Sequence, residues 1–216
     1  MIKLENISKK IDGKFILQDV SLQISPGEFV AILGQSGSGK TTLLHIMGLL
    51  EEVQSGSVTI NNSKTPSQKM IRELKRNTLG YIFQNYLLLE NETVQANLNI
   101  SRKTKKEEML SFLQDVGLDS TYISKYVYQL SGGEKQRVAI ARVLLKPFDI
   151  LLADEPTGNL DQKNRDMIIN LLLKIKSEGK TVICVTHDYE VAEKADRIIT
   201  IQEGEVEDEN IQHHTR

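Results

Sequence analysis

Four short runs along the chain are almost wholly apolar: Phe29-Val30-Ala31-Ile32-Leu33, Leu79-Gly80-Tyr81-Ile82-Phe83, Asp149-Ile150-Leu151-Leu152-Ala153 and Thr181-Val182-Ile183-Cys184-Val185. Runs of this length predict strands buried on both faces of a parallel sheet. Met1 to Ile7 and Gln18 to Ile24 instead alternate apolar and polar residues, with Asp12-Gly13 as a turn between them. That alternation predicts half-buried strands of an antiparallel piece. Ser57 to Asn61 adds a strand, and Arg197–Ile201 with Glu205-Val206 forms a hairpin around Glu203-Gly204. Helical spacing covers Thr42–Leu50, Pro66–Lys75 (Met70, Ile71 and Leu74 on one face), Glu134–Leu145, Asp161–Ser177 and Tyr189–Lys194. The inner stripe of Asp161–Ser177 is Met167, Ile168, Leu171, Leu172 and Ile175. Between 85 and 130 the strand runs stop and helical segments fall at 93–100, 105–117 and 119–126. The expected fold is therefore α/β: a mostly parallel sheet, an N-terminal antiparallel β piece and a helical lobe over about 85–145, inserted in a single domain over 1–216.

Composition narrows the function without naming it. Of the 216 residues, 39% are hydrophobic and 26% charged, and the net charge is −2, which gives no support for a nucleic-acid binder. The single cysteine, Cys184, excludes an internal disulfide and lies in a strand-like run, where core packing is its expected role. No run of about 18 apolar residues exists and the N-terminus lacks an apolar signal core, so a cytosolic chain is expected. Arg102, Lys103, Lys105 and Lys106 precede Glu107 and Glu108, as at a solvated helix start. His213 and His214 are assigned no metal role.

The strongest chemical signal is Gly34 to Thr42, GQSGSGKTT, which fits the phosphate-cradling pattern G-x-x-x-x-G-K-[ST] at Gly34, Gly39, Lys40 and Thr41. Gln35, Ser36, Gly37, Ser38 and Thr42 complete the stretch. A strand precedes it and a helix follows. Glycines let backbone N–H groups close around an anion, and a helix N-terminus adds free donors and its dipole. Lys40 is expected at the β- and γ-phosphates of ATP, and the Thr41 hydroxyl at Mg²⁺.

Ligands of parallel sheets bind beyond the carboxyl ends of the strands. Gln84, Asp154-Glu155 and His187 each follow an apolar strand, as Lys40 does. Asp154 suits Mg²⁺, directly or through water, and Glu155 suits activation of the attacking water. His187 is placed to bond the γ-phosphate or that water, and the Gln84 amide to touch the metal or the water. A second glycine-rich stretch, Ser131-Gly132-Gly133, precedes the helix that starts at Glu134. One site does not need two phosphate loops on the same side, so this loop is expected at ATP held by a second copy of the chain. Asn85 to Glu90, NYLLLE, reads either as core or as a docking surface.

Taken together, the chain resembles the ATP-binding subunits of ABC transporters. The motifs are GQSGSGKTT at 34–42, YIFQN around Gln84, LSGGE at 130–134 followed by KQRVAIAR, DILLADE at 149–155, GNLD at 158–161 and His187. The resemblance implies an ATP-hydrolysing homodimer, with Ser131 and Gly133 on the partner's γ-phosphate and Asp161 in a dimer-contact loop. It also implies transmission through Gln84 to separately encoded membrane subunits, which would hold the protein on the inner face of the membrane. The run DEPTGNLD, 154–161, resembles one branch, which serves macrolide and antimicrobial-peptide exporters, lipoprotein release and a cell-division complex. Peptide or antimicrobial export is the first reading for cargo, and a regulatory ATPase of a cell-division or lipoprotein-release complex the second. The family's adenine-stacking aromatic is absent. Ile11 stands at the aligned position and Phe15 is the nearest aromatic.

Overall fold

The computed structural model describes residues 1–209. His213 and His214 lie outside the described residues. A six-stranded sheet carries the molecule. Its order is β10 (Glu205–Glu209), β9 (Arg197–Gln202), β3 (Phe29–Gly34), β8 (Thr181–Val185), β7 (Ile150–Asp154) and β6 (Leu79–Ile82). All neighbours are parallel except β10, which pairs antiparallel with β9 across the Glu203-Gly204 turn. A second, antiparallel sheet has the order β2 (Lys14–Ile24), β1 (Ile2–Ile11), β4 (Ser55–Ile60) and β5 (Ser63–Lys64). The first two strands extend right up to Asp12-Gly13, because both turn residues take positive φ and close a tight hairpin.

Strand alternation divides the interior into two cores. On β3, Phe29 and Ala31 face one and Val30 and Ile32 the other; on β8, Val182 and Cys184 oppose Ile183 and Val185. The first core is closed by the helical lobe and by α6 (Gln162–Ser177). The second is closed by the antiparallel sheet, with α1 (Lys40–Met47) between the sheets through Leu43, Leu44, Ile46 and Met47. Cys184 is fully buried in the first core, as expected of core packing, and burial pushes its thiol pKa up. The helix that follows the phosphate-cradling loop is thus clamped on two sides, which fixes where its N-terminus points.

Helix starts follow caps, and here the structure departs from the periodicity. α2 runs Gln68–Asn77 rather than from Pro66, because the Ser67 hydroxyl accepts from Met70 N–H; of its expected face only Leu74 is buried. The lobe holds α3 (Val94–Ser101), α4 (Lys106–Asp115) and α5 (Gly132–Leu144). The expected helix at 119–126 is instead two short 3₁₀ turns, Ser120–Ser124 and Val127–Gln129. Asp119 caps the first, and each has only one buried apolar side chain, Ile123 and Val127, too little for a longer helix. α5 begins two residues before Glu134. Ser131 and Glu134 form a capping box that draws Gly132 and Gly133 into the first turn. On α6, Ile169 is buried while Met167 sits half-buried near Gly117, so the inner stripe is shifted by one position at its start. The basic run before α4 is solvated as expected, and Arg102 pairs with Glu108 at 2.6 Å. α7 is only Tyr189–Ala192.

Candidate active site

The phosphate-cradling loop ends in a helix that no side chain caps. α2, α3, α5, α6 and α7 each take a side-chain oxygen at their N-cap. α1 has Gly39 there, at φ 104, with no cap bond and no acid in its first turn. Its first N–H groups therefore stay free for an anion, with the positive end of the dipole behind them. A side chain at Gly39 would also strike the antiparallel hairpin, since a Cβ would stand 2.8 Å from the Ile16 carbonyl oxygen. At Gly34, φ is 151 and a Cβ would stand 2.4 Å from the Ile201 carbonyl oxygen and 2.8 Å from Ser38 Oγ. The Ser38 hydroxyl is buried in the loop with no hydrogen-bond partner. Gly34→Ala is expected to displace the loop from β9 and abolish nucleotide binding by calorimetric titration, with a melting temperature several degrees lower.

A cavity of about 290 Å³ opens over this loop, lined by Gly34, Ser36, Gly37, Lys40, Thr41, Gln84, Asp154, Glu155, Val185 and His187. The residues at the ends of β3, β6, β7 and β8 thus meet at one place, which the parallel register of the sheet produces. Lys40 Nζ donates to the Gly34 and Gln35 carbonyls at 2.9 and 2.8 Å. Thr41 Oγ1 donates to Asp154 Oδ1 at 3.3 Å. Asp154 is nearly buried, and its pKa is raised by that burial against the opposing bond from Thr41. Glu155 takes φ 49, left-handed backbone, and its side chain lies toward His187. His187 Nδ1 approaches Glu155 Oε2 to 2.9 Å, but without the alignment of a hydrogen bond, so that buried oxygen lacks a donor. The imidazole itself is 73% exposed and free to turn toward a ligand.

Oxygen donors fit a hard cation here. Thr41 Oγ1 and the buried Asp154 carboxylate adjoin, with the Gln84 amide on the same wall. No cluster of three or more His, Cys, Asp or Glu able to hold a metal occurs among the described residues. The set therefore matches Mg²⁺ that takes its remaining ligands from phosphate and water rather than a protein cage.

Other expected residues lie elsewhere. Gln35, Ser38, Gly39 and Thr42 belong to the loop and α1 but not to the cavity wall. Ser131, Gly132, Gly133 and Asp161 are also outside it, as are Ile11 and Phe15. Ser131 and Asp161 are the N-caps of α5 and α6. Ile11 and Phe15 are 46% and 44% exposed at the first hairpin, next to Ile16, which touches Gly39. Periodicity did not point to Tyr86, Arg142 or Asn159, which tie these loops together. Arg142 falls at a helical interval along α5, so spacing alone gives it no role, and its use shows only in its bonds to the Tyr86 and Leu87 carbonyls.

A glycine loop feeding an uncapped helix, at the carboxyl edge of a parallel sheet with a carboxylate beside the loop threonine, defines a nucleoside-triphosphate-binding protein. Residues 17–158 match the family model described as ABC transporter, and the chain belongs to that family as an ATP-binding ATPase domain. It is 39% identical to the lipoprotein-releasing system ATP-binding protein LolD of Aquifex aeolicus, over 95% of this chain and 96% of that protein. It is 40% identical to the macrolide export ATP-binding/permease protein MacB of Bartonella quintana, over 98% of this chain but 34% of that protein. The chain thus spans about a third of the length of its MacB relatives. Among solved structures, MJ0796 of Methanocaldococcus jannaschii, in a dimeric post-hydrolysis state bound to ADP and Pi, superimposes with a TM-score of 0.91 at 37% identity. That match covers 98% of this chain and 99% of the other. The α/β architecture with its antiparallel N-terminal sheet is the one expected from the sequence.

Proposed function

We propose that the chain drives a membrane partner by closing and opening a head-to-tail pair of copies around two ATP molecules. The observation that carries this is the division of the phosphate-binding features. Lys40, Thr41, Asp154, Glu155, Gln84 and His187 share one cavity, while Ser131, Gly132 and Gly133 lie outside it. A second copy is the natural source of a nucleotide for that loop, and the solved relative MJ0796 is dimeric.

Within one site, Lys40 leaves its loop carbonyls for the β- and γ-phosphates, and the α1 N-terminus takes the remaining phosphate charge. Thr41, Asp154 and Gln84 would hold Mg²⁺, which when bound neutralises phosphate charge. Glu155 accepts a proton from water as the water oxygen attacks the γ-phosphorus and ADP departs. His187, beside Glu155, holds the γ-phosphate side of that arrangement. Ser131 and Gly133 of the second copy bond the γ-phosphate, and Asp161 sits in the loop that meets the partner. Ile11 and Phe15 offer an apolar edge to the base in place of a stacked aromatic. Loss of the γ-phosphate removes the second copy's contacts and reopens the pair.

The partner is an integral membrane subunit, with this chain held peripherally on its inner face. Among the described residues no helix is long and apolar enough to cross a membrane. In the stretch after Gln84, Leu88 packs against the first core, while Leu87 and Leu89 are 49% and 53% exposed and could serve docking. Leu89 is therefore the probe. Leu89→Asp is expected to abolish co-purification with the membrane subunit and leave ATP affinity unchanged, whereas retained co-purification removes this surface from the proposal. For cargo, export of a peptide or antimicrobial is the first reading, and the MacB relatives, named for macrolide export, support export. LolD, matched over nearly its whole length, favours the second reading, a complex that releases lipoproteins. Isolation of the native complex and identification of its membrane subunit separates the two.

A further inference from the structure

Three loops that the proposed cycle uses separately meet at one side chain. Tyr86 stands two residues after Gln84, and it and Leu87 both take left-handed backbone, φ 63 and 48, which is unfavourable for residues with a Cβ. Arg142 on α5 holds that shape: Nη2 donates to the Tyr86 carbonyl at 2.8 Å and Nη1 to the Leu87 carbonyl at 2.6 Å. The half-buried guanidinium has no carboxylate partner among the described residues, and burial lowers its pKa. Its charge is thus committed to the loop backbone. So held, the Tyr86 hydroxyl accepts from Asn159 Nδ2 at 2.8 Å. It also lies against Gly132, where an added Cβ would stand 3.3 Å from Tyr86 Oη. Gly133, one residue on, leaves no more room on its other side. A Cβ there would be 3.2 Å from the Asn159 carbonyl oxygen and 3.3 Å from Leu160 Cδ2. The first turn of α5 is therefore wedged between Tyr86 and the Asn159-Leu160 loop.

We propose that Tyr86 is a positioning residue for the second nucleotide: its hydroxyl latches the Asn159 loop and the Ser131–Gly133 turn into one unit that moves with the Gln84 loop. This deepens the reading in which Ser131 and Gly133 grip ATP on a second copy, and it rests on that reading. Without the latch, each copy still loads ATP on its own Lys40 loop. What is lost is the joint presentation of two loops to the partner.

The test uses Tyr86→Phe, which keeps the ring and removes only the hydroxyl, in the wild-type chain and in a Glu155→Gln background. The expected result is unchanged ATP affinity of the separate chain and an unchanged melting temperature. The ATP-dependent dimer of the Glu155→Gln background should dissociate about 3- to 10-fold more readily, and kcat should fall by a similar factor with KM little changed, the size of effect one hydrogen bond allows. In an Asn159→Ala background the further effect of Tyr86→Phe should vanish, since the hydroxyl acts through that amide. A dimer constant and kcat equal to those of the parent, or effects of the two substitutions that simply add, overturn the latch and leave the two-copy reading standing. A Glu155→Gln chain that stays monomeric in saturating ATP overturns both.

Discussion

Glu155→Gln lowers the ATP turnover number by about 100- to 10,000-fold and accumulates an ATP-bound species of twice the single-chain mass on gel filtration. The size of the drop is what a positioned general base contributes to a proton transfer. An amide in place of the carboxylate keeps the shape of the side chain, the left-handed backbone at 155 and the neighbouring Asp154–Thr41 contact, but it cannot take a proton from water. Binding and closing are therefore preserved while the step that reopens the pair is blocked. Phosphate release by a steady-state assay and elution volume with and without ATP measure the two halves. Near-normal turnover would show that another group accepts the proton. Loss of turnover without a larger species would separate the chemistry from the two-copy arrangement.

Lys40→Ala weakens ATP binding by about 10- to 100-fold in an equilibrium titration of the separate chain. The side chain supplies a charged donor to the phosphates, and such a bond contributes about 1.5–3 kcal/mol. Its two bonds to the Gly34 and Gln35 carbonyls also brace the loop in its cradle shape, so the substitution loosens the donors that remain. Stability should change little, because the loop glycines and the apolar face of α1 keep their packing between the two sheets. Retained affinity would mean that the α1 N-terminus alone accounts for recognition of the triphosphate. The same titration with the Tyr86→Phe chain should show no change, which separates residues that hold a chain's own nucleotide from those that act on its neighbour's.

Strand content was legible because the runs at 29–33, 79–83, 149–153 and 181–185 are almost wholly apolar, and a sheet covered on both faces is the arrangement that buries such runs. Helix boundaries were less so. Apolar spacing marks which residues face inward, but the start of each helix is set by the side chain that satisfies its first N–H groups, and Ser67 and the Ser131–Glu134 box each moved a start by two residues. At 119–126 the polar and apolar order permits a helix, yet over the two turns only the apolar side chains of Ile123 and Val127 are buried, and two 3₁₀ turns result.

The candidate site shows the same division. By itself the sequence determined the phosphate-cradling loop, the strand-end residues Gln84, Asp154, Glu155 and His187, and their convergence, because a parallel sheet brings all its carboxyl ends to one edge. Local order along the chain is enough for that. Only the tertiary structure decided which of the remaining residues share the cavity. It placed Ser131–Gly133 and Asp161 outside it, split Leu88 from Leu89, and brought Arg142, Tyr86 and Asn159 together across 56 and 73 positions of chain. Contacts of that separation depend on how the helical lobe packs against the sheet, and no periodicity in a single segment records it.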